Sequence, residues 1–92
     1  MDQDLRIFAA KMRRDLPTLD LHEFIPSQVL DKLEFFLYTI FQQKEPAARI
    51  VYGIGVGQLK KIVLECLKKH PLVAKIEEEA GSCIIILNKK VI

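Results

Sequence analysis

The stretch "ARIVYGIGVGQLKKIVLECLKK", residues 48–69, decides the fold because it joins a strand, a glycine loop and a helix in one continuous segment. Residues 48–52 are mostly apolar and include the strand formers Ile, Val and Tyr. Three glycines follow at alternate positions. Residues 57–69 then repeat apolar side chains at the spacing of an amphipathic helix. A strand that enters a helix through a glycine loop predicts an α/β domain.

The segments on either side complete the α/β pattern. Residues 18–22, "TLDLH", alternate apolar and polar side chains and predict a strand. Pro26 begins a helix that is expected to reach residue 43. Residues 72–78 and 83–87 predict two strands that pair as a hairpin across a short acidic turn. We therefore expect a two-layer α/β sandwich of order β-α-β-α-β-β, with a mixed sheet and both helices on one face.

An N-terminal helix is predicted over residues 3–14 and ends before Pro17. Its apolar side chains form one stripe: Leu5, Phe8, Ala9 and Met12. We expect residues 1–17 to form a helical extension and residues 18–92 to form the domain. The sheet face away from the two core helices would be open unless this extension or a partner protein covers it.

Three further side chains need an interpretation. Phe35 and Tyr38 lie outside the core stripe of the helix that Pro26 begins. They either lie under the N-terminal helix, which we favour, or form a surface for a partner. His70 ends the later helix, where a protonated imidazole would stabilise the helix dipole.

The composition is typical of one folded domain. Half of the 92 residues are hydrophobic, and the apolar runs are too short for a membrane span. The N-terminus lacks the sustained apolar run of a secretory signal. Cys66 and Cys83 lie in apolar patterns, as buried reduced thiols do, although one disulfide between them is an alternative. We expect a cytoplasmic protein.

Positive charge is concentrated in the second half of the chain. Residues 1–46 hold six basic and eight acidic side chains, whereas residues 47–92 hold eight basic and four acidic ones. The half that contains the glycine loop therefore carries a net charge of +4. This asymmetry favours an anionic partner.

The glycine loop fits two interpretations. Gly53, Gly55 and Gly57 precede a helix whose first N–H groups lack intrahelical acceptors, and Lys60 and Lys61 follow within one turn. Such a loop binds a phosphate well, but it also serves as a plain strand-to-helix turn. The spacing G-x-G-x-G matches neither the dinucleotide nor the P-loop fingerprint.

Asp20 and His22 lie two residues apart, on one face of the first predicted strand. Asp20 would orient the imidazole and raise its pKa, or the two would form an ordinary polar pair at a strand end. In a parallel pair of strands the carboxyl ends lie at the same edge of the sheet. We therefore expect His22 beside the glycine loop, where α/β proteins place ligands. No His/Cys cluster has the spacing of a zinc site, and no metal site is predicted.

Taken together, three segments resemble the Smr (small MutS-related) domain family: "LDLHEFIPSQVLDKLEFFL", "ARIVYGIGVGQLKKIVLECLKKHPLVAKIEE" and "SCIIIL". The resemblance covers about residues 18–88. It implies a fold similar to the C-terminal domain of bacterial translation initiation factor three, DNA or RNA binding, and endonuclease activity by nicking DNA or cleaving RNA. The family pattern places the catalytic pair at Asp20 and His22.

The family's glycine motif falls on Gly53, Gly55 and Gly57, directly after Tyr52. Phosphate binding at this loop would depend on backbone amides and on the nearby cations Lys60, Lys61 and Arg49. Four residues depart from the family pattern. Glu23 replaces a glycine, Ile25 a Ser/Thr helix cap, Tyr52 a His or Thr, and Ile54 a lysine. The loss of a cation at position 54 weakens transition-state stabilisation.

Two functions follow as hypotheses. The first is a nucleic-acid-binding domain with endonuclease activity, in which His22 acts without a cofactor on RNA. A DNA nickase would instead need a divalent metal ion at Asp20, with Glu23 as the nearest second carboxylate. The second is a catalytically inactive module that binds a protein or nucleoprotein partner through the N-terminal helix or the open sheet face.

Overall fold

The structure is a computed structural model that describes residues 3–55 and 57–89. In that part of the chain, three helices and four strands alternate as the sequence predicts. Their bounds are α1 (Gln3–Met12), β1 (Thr18–Asp20), α2 (Pro26–Gln42), β2 (Ala47–Val51), α3 (Gln58–Lys69), β3 (Val73–Glu79) and β4 (Ser82–Leu87). The predicted α/β architecture with a mixed sheet is confirmed.

The four strands form one sheet in the order β1-β2-β4-β3. β1 runs parallel to β2, and β4 lies antiparallel between β2 and β3. The hairpin therefore places its second strand, β4, at the centre of the sheet and its first strand, β3, at the edge. As a result, the turn between β3 and β4 lies beside the end of β2, where the glycine loop begins.

The larger core lies between the sheet and the helices α2 and α3. Four side chains of α2 are buried there: Val29, Leu33, Leu37 and Ile40. Ala48 and Ile50 of β2 and Ile85 of β4 are buried against them. α2 begins without a side-chain cap at Ile25, but Gln28 Oε1 accepts the Ile25 N–H at 3.3 Å. In a capping box, the side chain three residues after the cap accepts the backbone N–H of the cap residue. Gln28 does this here, although Ile25 has no side-chain oxygen to complete the box.

The opposite face of the sheet is covered in part by α1. Ile7 and Ala10 of α1 are buried against Ile84 and Ile86 of β4, together with Ala47. α1 is therefore a cover of this face, one of the two alternatives that the sequence left open. The predicted contact stripe is wrong, because its members point to solvent: Leu5, Phe8, Ala9 and Met12.

Two other sequence predictions are also wrong. Phe35 and Tyr38 are exposed on α2, on the face of the sheet away from α1, so α1 does not cover them. His70 does not serve as a dipole cation, because its Nδ1 accepts the N–H of Leu72 at 3.1 Å. Its Nε2 is therefore the protonated nitrogen and donates to Glu34, which ties α3 to α2.

Both cysteines are free thiols. Cys83 is buried in β4 and Cys66 is partly exposed on α3, and burial raises the pKa of Cys83 to about 12. Burial also raises the pKa of Cys66, so neither thiol is activated as a nucleophile. Among the described residues, no helix has the length and apolar character that crossing a membrane requires.

The packing of α1 predicts a difference between its two sides. Ile7→Ala removes buried methyl groups from the contact with β4 and should lower the free energy of unfolding by about 2 kcal/mol. Met12→Ala, on the exposed side, should change it by less than about 0.5 kcal/mol. Urea unfolding of both variants measures this. Equal losses would contradict the observed orientation of α1.

Candidate nucleic-acid interface

The end of β1 brings Asp20 and His22 together. Leu19 and Leu21 turn to the helical core, so strand alternation directs Asp20 to the opposite face. The chain turns after Leu21, whose N–H still donates to the carbonyl of Val51 at 2.7 Å. The Asp20 carboxylate then accepts both the backbone N–H and the imidazole Nδ1–H of His22. This fixes the ring and leaves Nε2 as the outward nitrogen.

The electrostatics of this pair favour the imidazolium form. The hydrogen bond to Asp20, the charge of Asp20 and a smaller effect of Glu23 raise the pKa of His22 above its ordinary value. The same hydrogen bond lowers the pKa of Asp20. The Nε2 atom lies 3.6 Å from Oε1 of Glu23, and the His22 side chain is 49% exposed. His22 is therefore accessible and well suited to carry a proton.

The glycine loop passes directly beside His22. At Gly53 the backbone has φ +85°, and an added Cβ would lie 3.1 Å from Cβ of His22. The N–H groups of Tyr52 and Gly53 both donate to the carbonyl of Gly81 in the β3–β4 turn, at 3.0 and 2.9 Å. The two motifs thus share one edge of the sheet, although the Gly53 amide is not available to a ligand.

The backbone N–H groups at the start of α3 are the other amides that a ligand at this edge would meet. Gly57 is the N-cap with φ +85°, and no side chain caps the helix. Its first intrahelical bond runs from Lys61 N–H to the Gly57 carbonyl at 2.9 Å. The N–H groups of Gln58, Leu59 and Lys60 precede that bond, and they lie at the positive end of the helix dipole.

A shallow groove of about 190 Å³ opens at this helix terminus. Its walls are the glycine loop, the first turn of α3 and Pro26 at the start of α2. A phosphate in the groove would meet backbone N–H groups, with the His22 pair close by. Pro26 and Leu59 were not identified from the sequence, because nothing in their local pattern separates a groove wall from an ordinary helix start.

Acidic side chains neutralise most of the nearby cations. Lys60 Nζ lies 3.4 Å from Oε1 of Glu78. Arg49 lies on the sheet face away from α3 and contacts Glu79 at 3.3 Å, so it does not line the groove. Lys61 is exposed and has no ion pair among the residues 3–55 and 57–89. The acidic hairpin was recognised in the sequence, but its pairing with these cations depends on β4 lying between β2 and β3.

Tyr52 and Ile54 depart from the family pattern in different ways. Tyr52 is buried, its hydroxyl donates to the Ser82 carbonyl at 2.7 Å, and burial raises its pKa to about 12. Its phenol is therefore held in the core, although Tyr52 is among the residues that line the groove. Ile54 is 87% exposed at the tip of the loop. An added Cβ at Gly81 would lie 3.1 Å from Ile54 Cγ1, so the β3–β4 turn supports this side chain.

The described residues contain no group of three or more His, Cys, Asp and Glu side chains placed to hold a metal ion. Asp20 and Glu23, the two carboxylates considered for a divalent ion, both approach the His22 ring. In this arrangement they support the imidazolium rather than an open cation site.

Comparison with known proteins supports the family and the fold. The model of the Smr domain matches residues 19–86. Among solved structures, the Smr domain of Thermus thermophilus MutS2 is similar, with a TM-score of 0.75 and 18% identity over 79% of this chain and 99% of that one. At this identity the likeness concerns the fold. No curated protein matches by sequence. α1 lies outside the residues that the family model matches.

The three loop glycines predict three different responses to alanine. Gly53→Ala should lower the free energy of unfolding, because alanine in the left-handed backbone conformation costs about 1–2 kcal/mol. Its Cβ would also contact Cβ of His22 closely. Gly57→Ala carries the backbone cost alone, because its Cβ would enter open space. Gly55→Ala has neither the backbone cost nor the contact, so the free energy of unfolding should change by less than about 0.5 kcal/mol. Urea unfolding ranks the variants. A His22 imidazole NMR signal that moves in Gly55→Ala as much as in Gly53→Ala would contradict the proposed contact.

The Asp20–His22 pair predicts a measurable titration. In the folded protein, the His22 pKa should lie above 6.5, because Asp20 stabilises the imidazolium. The resulting stabilisation is complete below pH 6.5 and disappears as the pH rises through the raised pKa. NMR titration of Asp20→Asn should show a large fall of this pKa, whereas Glu23→Gln should show a smaller one. The reverse order would contradict the observed geometry.

Proposed function

The chain belongs to the Smr domain family, whose relatives are known for nucleic-acid binding and nuclease activity, and we propose that it binds nucleic acid at the edge formed by His22 and the start of α3. The observation that carries this proposal is the contact between Gly53 and His22. Gly53 also lines the groove at the uncapped start of α3, and the His22 side chain is accessible to solvent. These are the two elements needed to hold a phosphate and to transfer a proton to it.

Binding would depend on amides more than on side-chain charge. The N–H groups of Gln58, Leu59 and Lys60 would contact one phosphate, with the His22 imidazolium on its other side. Lys61 adds an unpaired cation on the same helix turn, whereas Lys60 is shared with Glu78. We therefore expect modest affinity and a small salt dependence, because few side-chain cations displace counterions.

The same site would cleave RNA through acid catalysis by His22. The 2′-oxygen attacks phosphorus and releases its proton to water, while the bond from phosphorus to the 5′-oxygen breaks. The imidazolium gives its Nε2 proton to that departing oxygen and is later reprotonated by water. The raised pKa supports this role, because it increases the fraction of His22 that carries the proton at a given pH. Asp20 keeps the ring oriented through Nδ1.

A binding module without catalysis is the second candidate. It is favoured by the exposed Ile54 at the loop tip and by the neutralisation of Lys60 and Arg49. Developing negative charge on the phosphate would then meet the helix amides and His22, without another free cation in contact with the groove. Such a domain would bind nucleic acid and leave it intact.

Binding is tested with fluorescent single- and double-stranded RNA and DNA at several salt concentrations. The double variant Lys60→Ala/Lys61→Ala should weaken binding to every sequence and reduce the salt slope by about 1–2. Lys68→Ala/Lys69→Ala is the matched control, with the same charge change at the other end of α3. Absent binding, or binding that is insensitive to salt, would remove the proposal.

Cleavage is measured on the same labelled RNA with and without EDTA. His22→Ala should abolish cleavage and leave binding largely intact, and EDTA should have no effect. The wild-type rate should fall as the pH rises through the His22 pKa. Binding without cleavage by the wild type selects the second candidate. Cleavage that survives in His22→Ala would show that His22 is not the acid.

A further inference from the structure

The outer side of α1 presents an exposed apolar surface, which no other described element of the domain covers. Ile7 and Ala10 attach the helix to the sheet, and the side opposite them carries Leu5, Phe8 and Met12. These three side chains are 56%, 64% and 70% exposed, respectively. Their i, i+3, i+7 spacing forms a continuous stripe, which is the pattern of a helix that packs on both sides.

A cavity of about 350 Å³ lies next to this stripe, between α1 and the edge where β2 begins. Its apolar walls are Ala9, Ala10, Ala47 and Ile86, with Pro46 beside them. Ala9 also belongs to the exposed side of α1, so the stripe and the cavity form one surface. A large apolar side chain placed in the cavity would lie against methyl groups on several sides.

The charged rim of the cavity is positive. Arg6, Arg13 and Lys89 line it, and none of its described lining residues is a carboxylate. Arg13 is neutralised by Asp15 and Glu45, at 3.2 and 3.0 Å. Arg6 donates from Nη2 to the carbonyls of Pro46 and Leu87, which holds its guanidinium in place but leaves its charge uncompensated.

Lys89 is the second uncompensated cation of the rim. No carboxylate partner is found for Arg6 or Lys89 within residues 3–55 and 57–89. The other flank of α1 differs, because Lys11 pairs with Glu77 and Asp4 pairs with Lys75. Arg6 and Lys89 thus border the cavity without a carboxylate partner, whereas Lys11 and Lys75 on the other flank are paired.

From this combination we propose that the outer side of α1 and the adjoining cavity bind an acidic amphipathic segment of a partner protein. Its apolar residues cover Leu5, Phe8 and Met12, and one of them enters the cavity. Its carboxylates contact Arg6 and Lys89, whose positions at the rim complement them. This mode corresponds to a helix that lays its apolar face into a groove.

Other occupants satisfy fewer of these features. A nucleic-acid backbone would pair with Arg6 and Lys89 but leave the apolar stripe in water. A second copy that packs antiparallel would bring the same cations against one another, because that two-fold contact places like flanks together. A lipid surface would leave the recessed cavity unfilled and would contact the neutral flank that contains Asp4 and Glu77.

The surface lies at the end of β2 opposite to the glycine loop. Pro46 and Ala47 at the start of that strand border the cavity, whereas Tyr52 and Gly53 beyond its end border the proposed phosphate groove. Partner binding and nucleic-acid binding should therefore be compatible on one molecule. The inference is independent of the proposed function.

The test uses the full chain and two synthetic helical peptides. Both repeat leucine at alternating three- and four-residue spacing, and they carry glutamate or lysine at the flanking positions. Isothermal titration should show binding of the glutamate peptide alone. Phe8→Ser and Lys89→Glu should each weaken it about tenfold, as expected for residues central to an interface. Phe35→Ser and Lys68→Glu are matched controls on α2 and α3 and should have no effect.

Each other result would overturn the proposal. Failure of the glutamate peptide to bind, equal binding of both peptides, or unchanged binding in Phe8→Ser would show that the surface lacks the proposed specificity. Self-association that Phe8→Ser abolishes, measured by sedimentation, would identify a second copy as the occupant. Binding to phosphatidylserine vesicles would identify a lipid surface. Loss of RNA binding in Phe8→Ser would assign the surface to nucleic acid.

Discussion

The burial of β4 on both faces is the constraint on which the rest of the structure depends. All six residues of this strand are buried, and it pairs with β2 on one side and β3 on the other. Cys83 and Ile85 face the helices α2 and α3, whereas Ile84 and Ile86 face away from them. A central strand with apolar side chains on both faces needs a cover on each. α1 supplies the second cover, which explains why a helix outside the matched family region is part of the packed structure.

The central position of β4 also shapes the candidate interface. It carries the β3–β4 turn to the end of β2, where the Gly81 carbonyl accepts two N–H groups of the incoming loop. The loop is thereby held close to His22. The same arrangement brings Glu78 and Glu79 against Lys60 and Arg49. One topological feature therefore assembles the site and reduces its positive charge.

The geometry of the candidate site and its electrostatics have different consequences for phosphate binding. The geometry suits phosphate chemistry, because an oriented imidazole and uncapped amides meet at one edge of the sheet. At the proposed site these electrostatics predict weak binding, since the surrounding side-chain charges largely cancel. A second surface on α1, with an apolar stripe and uncompensated cations, would give such a domain a route to its target through a protein. Modest affinity for nucleic acid would then be sufficient, because the partner raises the local concentration.

The sequence by itself determined the order of helices and strands, the family pattern and the meeting of His22 with the glycine loop. These depend on local periodicity and on the rule that parallel strands end at the same edge. Only the tertiary structure decided which side of α1 is buried. Ile7 and Ala10 pack against Ile84 and Ile86 of the sheet, although the stripe with more large apolar side chains lies on the other side of the helix. The tertiary structure also decided the charge of the site. Lys60 and Glu78 are distant in the chain, and their pairing arises from strand order, which local patterns do not encode.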